Sequence, residues 1–570
     1  MNMKILDVKF SLRAAFGASV LFLSAAACAE TLYYSGNAQF QYTWPWYLDE
    51  ALSEPAGRAP NYEDTAVFYK TGWTSFTQID TYVGNLVLSG SQINESSGTV
   101  NLAFGAELVN KDVPINFQVP GKISVQKCDE ESRFRFTNWT GDTGSAALEM
   151  TVGRIEVGME TYGGRQYDSY GSAILEILMN SPVWSNTKLA VTGDVEIGDG
   201  AGTGKESQLS LYLDEVEIGG VLKMSGAWDV LQLKKDGMAV KLGGLVSAKD
   251  SSSHNFFVES RGGVGTLVFA NAAGADYSFR GALCDNGITA GNNEYSVDML
   301  MEGGGTQRIF IYRNGGMQEA SQNGTVTVRS GKFFFDNSNI KEGNRNGSLI
   351  LEGGAFGASA SDDTSQAGAV YFKSAEIKGG GLAFENFANH NAFETATTDK
   401  ILVEETLSKT GDGIITVDFA DRSGNALDLQ GYEIAQTVEL IDNWVEIMFA
   451  GELSGFDLDS KIGEGIYDAN GDFRAENVEN ATAFFRWAES QNGGYSLQVG
   501  FAQVPDPAAA AAAIGAVAIA LAARKKREGR YGEGRRFPPI PHAGTRYGNT
   551  VRTAKIMGNP FVCGALFILR

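Results

Sequence analysis

The sequence predicts an all-β fold, a β-solenoid in the manner of a right-handed parallel β-helix. Three observations predict it. The chain carries 70 glycines and 11% aromatic residues among 570, with 12 prolines, the composition of many short strands joined by tight turns. Runs of four to six residues that alternate apolar and polar recur between Gly or Asn turns, as in "NGTVTVRSGKFFFDNS", "NGSLILEGGAFG" and "GAVYFKSAEIKGGGLAFENF". Alternation puts Val326 with Val328, Leu349 with Leu351, and Val370 with Phe372 on one face of each strand. The first members of these pairs lie 23 (349 minus 326) and 21 (370 minus 349) residues apart. A repeat of roughly 20–25 residues is what one coil needs, each coil burying its apolar row against the next.

In chain order, residues 1–29 read as an export signal. Lys4, Lys9 and Arg13 make a basic start, "AAFGASVLFLSAAA" an apolar stretch, and Ala27 and Ala29 the small residues of a cleavage point before Glu30. Residues 30–425 are expected to form the solenoid. In "TWPWYLDE", Trp44, Trp46 and Tyr47 stand close together, and we expect them to plug its first coil rather than to stack on sugars. Residues 426–503 are more apolar and poorer in glycine, and are expected to form a small β cap over an end that would otherwise expose a strand edge.

Residues 504–530 have a different character. Val504-Pro505-Asp506-Pro507 is extended, because each proline ring fixes its own φ and constrains its predecessor. Asp506 then suits a helix N-cap and Pro507 the first helical position. From Ala508 to Ala523 the chain gives a 16-residue apolar helix, roughly 24 Å long against a hydrocarbon core of about 30 Å. Arg524, Lys525, Lys526 and Arg527 follow as a cytoplasmic stop. Such a helix is a weak permanent anchor and suits a temporary hold in the inner membrane. Residues 531–570 read as a basic, disordered tail.

Charge follows the same division. From Arg524 to Arg570 there are 11 Lys and Arg against two acids, a balance of +9, whereas the whole chain carries -22, which leaves -31 on residues 1–523. A body that acidic repels nucleic acid. With Cys28 in the signal and Cys563 in the tail, only Cys128 and Cys284 remain for at most one bridge.

Candidate chemistry is sparse. His254 and His390 are the only histidines before the tail, too few for a multi-His metal site, and no "GxSxG" elbow offers a nucleophile. "IGDGAGTGKES" departs from a phosphate loop at Asp199, where the first glycine is needed, and at Glu206, where a hydroxyl is needed. "DANGDFRAENVE" spaces Asp468, Asn470, Asp472, Glu476 and Glu479 like calcium ligands, but Phe473 stands where that loop needs glycine. The expectation is therefore a protein without catalytic residues, cofactor or metal.

Two resemblances sharpen this reading. "LSKTGDGIITVDFA" (Leu407–Ala420) and "NGTVTVRSGKFFF" resemble the autotransporter-associated β-strand repeats of bacterial surface proteins, and "YYSGNAQFQYTW" with "PNYEDTAVF" is similar to the opening cap of such passengers. The order Val504-Pro505-Asp506-Pro507, apolar helix, basic cluster resembles the PEP-CTERM sorting signal of Gram-negative bacteria. That resemblance implies an exosortase, an integral-membrane transpeptidase-like enzyme, as partner, and transfer to the cell surface or an exopolysaccharide matrix. Two departures stand out: Asp506 replaces the family's Glu, and 43 residues follow Arg527 where family members end. The functional expectation is a noncatalytic exported surface protein, an adhesin or matrix component, with exopolysaccharide or host glycans as candidate partners. The alternative is a β-helix that binds or degrades polysaccharide, and its mark would be clustered carboxylates and aromatics along one face.

Overall fold

A computed structural model describes residues 29–503 apart from internal stretches, the longest being 162–171, 312–321 and 388–397. The signal residues before Ala29, the sorting segment Val504–Pro507, the basic cluster Arg524–Arg527 and the C-terminal helix lie outside the described residues. So do Cys128 and the side chain of Cys284. Among the described residues no helix is long and apolar enough to cross a membrane.

The described residues are all-β, with two long sheets of 23 and 14 strands in which most pairings are parallel, a β-solenoid-like fold. The chain visits the sheets alternately. Ser296–Met301, Thr325–Val328 and Ser348–Leu351 join the larger sheet, while Thr306–Ile311, Lys332–Asp336 and Ala355–Ala358 join the smaller one. Stacking is in register: Met299 pairs with Val326 and Val326 with Leu349, while across the core Ile309 pairs with Phe335 and Phe335 with Ala358. Inward rows from both sheets are buried and form one continuous core. Phe333 and Phe356 stack at 6.4 Å, and Phe356 meets Phe372 at 5.5 Å.

Glycine sets the corners. Gly331, Gly354 and Gly380 have φ of +67°, +63° and +87°, a region that costs residues with a Cβ about 1–2 kcal/mol. They turn the chain from the larger sheet to the smaller one in successive coils. The amide after each donates to the coil beneath: Lys332 N to Gly305 O at 2.9 Å, Ala355 N to Gly331 O at 2.8 Å, Gly381 N to Gly354 O at 2.9 Å.

Spacing varies from coil to coil, 27 residues from Met299 to Val326 (326 minus 299) and 32 from Leu267 to Met299 (299 minus 267), and one expected neighbour is replaced by another. Leu349 pairs with Ala375, not Val370. Val370 belongs to an additional strand, Ala369–Phe372, which pairs with Lys400–Lys409, so this coil is 26 residues long at that row (375 minus 349).

The ends are closed differently from the middle. At the start, Trp46 is fully buried against Tyr34, Phe40 and Phe68, with ring centroids at 4.9, 5.3 and 5.7 Å. Its Nε1 donates to Phe40 O at 3.1 Å. Trp44 is outside the described residues, and Tyr47 pairs with Tyr33 on an antiparallel strand. Toward the C-terminus, parallel pairing continues from Ile401 to Met448 and from Ile415 to Phe473. Tyr495–Ala502 then runs antiparallel to both Val445–Ser454 and Thr482–Glu489.

Candidate functional site

The 14-stranded sheet has an outer face unlike an ordinary solvated one. Ser132–Asn138, Ala173–Leu178, Ser207–Tyr212, Trp228–Leu233 and Asn255–Ser260 are consecutive parallel rungs. Alternation sends Phe134, Leu175, Leu209 and Leu231 into the core and leaves two rows on the other side. One is Arg135, Glu176, Ser210, Gln232, Glu259; beside it runs Arg133, Ile174, Gln208, Val230, Phe257. Val230, Phe257 and Ala282 form an apolar cluster separate from the main core.

The polar row is tightly connected. Gln208 Nε2 donates to Gln232 Oε1 at 2.8 Å and Ser210 Oγ to the same oxygen at 2.9 Å, while Gln232 Nε2 donates to Glu259 Oε2 at 3.2 Å. Arg261 Nε donates to that Glu259 oxygen at 3.0 Å. At the other end Glu176 accepts from Arg135 Nε at 2.6 Å and Lys234 Nζ at 3.4 Å, with Arg133 at 3.6 Å. Gln208, Ser210, Gln232, Glu176 and Glu259 are all buried, so the row is a satisfied network that ties neighbouring rungs together.

Two groups at the margin of this network complete the site. Trp228 opens its strand 40% exposed, its ring stacked on Phe257 at 6.1 Å. Glu206 immediately precedes Ser207, whose register partner is Asp229, which places it beside Trp228. Burial pushes the Glu206 carboxyl up from the usual range, the charge of Glu259 adds to that, and Arg261 opposes it. Its carboxylate makes no hydrogen bond or ion pair with the described residues. A carboxyl perturbed by burial and a like charge, next to an exposed indole, is a combination found at functional sites more often than on plain surfaces.

The sequence singled out Glu206 only as a departure from a phosphate loop and did not single out Trp228. The signal was present in "SQLSLY" and "WDVLQL", where Gln and Ser occupy the outward positions of apolar strands, but nothing local announces that these strands are neighbours.

The other candidates resolve separately. Of the phosphate-loop stretch, residues 199–205 lie outside the described residues. In the calcium-like loop, Asp472 Oδ1 accepts from Lys409 Nζ at 2.7 Å, Asp468 Oδ1 from Asn470 N at 3.0 Å, and Asn470 Oδ1 from Phe485 N at 2.9 Å. Phe473 is buried and opens a strand paired with Ile415–Asp418. Ala29 is exposed, just ahead of the first strand.

No family model matches the chain, and no curated protein matches it. The fold defines its class: among the described residues, an all-β protein of stacked parallel coils.

Proposed function

We propose that the chain is a noncatalytic, exported surface protein of a Gram-negative bacterium, an adhesin or a structural part of the extracellular matrix, built as a right-handed solenoid. A right-handed connection between parallel strands of one sheet is the general rule. The observation that carries the reading is the long stack of parallel strands, a rigid scaffold of the kind that presents an extended surface. Its most connected carboxylates also favour binding over cleavage. Glu176 and Glu259 are three register steps apart, about 14 Å at about 4.8 Å per step, wider than the roughly 5–9.5 Å of carboxyl pairs that cleave glycosides. No cofactor or metal enters this reading.

Export through residues 1–29 and transient retention by residues 504–530 would deliver the body outward, with an exosortase-like membrane transpeptidase as processing partner. Intact mass of the protein recovered from the surface of its host tests this. A C-terminus near Val504 to Pro507 is expected; a mass running to Arg570 overturns sorting by cleavage. One observation favours a second reading, polysaccharide binding: aromatic and carboxylate side chains share the outer face around Trp228, the mark by which the sequence separated the two.

A further inference from the structure

We infer that cleavage after Ala29 turns the Glu30 amide into an α-ammonium that Asp64 receives, so that processing itself fastens the first coil. The inference rests on the export reading and adds what the cut does to the folded body. Glu30 is tied down at three atoms. Its N donates to Asp64 Oδ1 at 3.0 Å, its carbonyl accepts from Thr65 N at 2.8 Å, and its carboxylate accepts from Arg58 Nη2 at 2.6 Å. The residues that follow, Thr31–Tyr34, pair in parallel with Thr65–Phe68, and Phe68 packs on Trp46 at 5.7 Å. Ala29 and Glu30 are exposed, which leaves the bond between them at the surface.

Asp64 is fully buried, and besides Glu30 N it accepts from Arg58 Nη2 at 3.0 Å and Asn61 N at 2.8 Å. Burial pushes its carboxyl up, but Arg58 and the amides of Asn61 and Glu30 outweigh burial and hold it below its ordinary value. It is therefore a carboxylate at neutral pH. A carboxylate bonds an ammonium about twice as strongly as it bonds a neutral N–H. In the uncut chain Arg58 alone faces Glu30 and Asp64, one cation against two anions; the α-ammonium makes it two against two.

Little else at this corner competes for the new charge. The strands packed here, Thr31–Tyr34, Thr65–Phe68 and Asn85–Leu88, carry no charged side chain. Glu63, next to Asp64 in the chain, is a further acid, Asp49 is bonded within its own turn to the amides of Ser53 and Glu54, and Glu50 and Glu54 are exposed. One rung further on, Lys122 is held by Glu156 at 2.8 Å. The α-amine of an unfolded chain titrates near about 7.7–8.0, and against Asp64 it keeps its proton to higher pH. Its stabilising contribution is complete below that range and is lost as pH rises through the folded value. The uncut chain, with a neutral amide in the same place, has no such window.

Mass spectrometry of the N-terminal peptide of the protein recovered from its host tests the first step, and the chain should begin at Glu30. A chain beginning at Met1 would sink the export reading together with the inference, whereas a cut at another position would overturn the inference and leave export standing. Competitive acetylation of the α-amine in the same recovered protein, folded and unfolded, reads the contact. Near pH 8 the folded α-amine should react about tenfold more slowly, which corresponds to one unit of pKa, and Asp64→Asn should restore most of the reactivity. Where Asp64→Asn does not fold, chains beginning at Glu30 with a free and with an acetylated α-amine carry the test. The free form should melt higher at about pH 6, and the difference should vanish toward about pH 10. Equal reactivity in the folded and unfolded states, or a melting difference that is zero or does not change with pH, overturns the inference.

Discussion

Arg308 and Glu385, 77 residues apart in sequence, are joined by two hydrogen bonds, Nη2 to Oε1 at 2.7 Å among them. Arg308 is only 2% exposed, its guanidinium lies 4.5 Å over the Phe334 ring, and Asp276 accepts from its Nε at 2.8 Å. Rungs from Thr306–Ile311 to Gly381–Phe384 are thereby pinned together from outside the core.

Arg308→Ala should destabilise the protein by roughly 3–5 kcal/mol, because it removes a buried guanidinium bonded to both Glu385 and Asp276. Replacing both residues by apolar ones, Arg308→Met with Glu385→Leu, should cost less than the single change. Denaturant melts of the two variants check this; equal or greater loss in the double variant would assign the effect to packing over Phe334 instead.

Gly354 should tolerate no side chain. A Cβ there would lie 2.6 Å from Gly331 O at φ +63°, so Gly354→Ala is expected to cost on the order of 1–3 kcal/mol. Gly424 has φ +83° but nothing within 4 Å of the added carbon, and Gly424→Ala should cost only about 1 kcal/mol. Thermal melts of the pair measure the difference.

Trp46→Ala should cost about 3–5 kcal/mol by opening a cavity among Tyr34, Phe40 and Phe68. Because this cluster closes the first coil, proteolysis should begin there, and the fragments identified by mass spectrometry should start within the first two rungs.

Asp399 gives a pH dependence. Burial pushes its carboxyl up to about 7, against hydrogen bonds from the amides of Gly368 and Asn386 that favour the charged form, while the charge of Glu385 raises it further. The folded state therefore holds this proton more tightly than the unfolded chain, whose value is near 3.8. Its stabilising contribution is complete below that value and is lost as pH rises toward about 7. Asp399→Asn should flatten the stability profile in that window, and an unchanged slope would place the titration elsewhere.

Much of the stack was legible in the sequence. Strict alternation and a 23-residue step were enough to set Val326 beside Leu349. The next step misled, because "AVYF" and "SAEI" show the same alternating burial, and periodicity cannot tell which of two adjacent strands continues the row. Side-chain chemistry across rungs was not legible at all. Glu176 meets Lys234 from 58 residues away and Arg308 meets Glu385 from 77, separations fixed by the cumulative lengths of intervening loops. Trp228 fits an ordinary strand until its neighbour is known to be Phe257.

The positive-φ turns at Gly331, Gly354 and Gly380 divide the chain into segments of 23 (354 minus 331) and 26 (380 minus 354) residues with equivalent ends. Removing residues 331–353 as a block would join the chain at matching turns and bring like rungs into contact, since each rung pairs with its immediate neighbours. Gene duplication or deletion in such units would lengthen or shorten the protein without inventing a new core, so descendants of one ancestor can differ by whole coils while keeping the same cross-section.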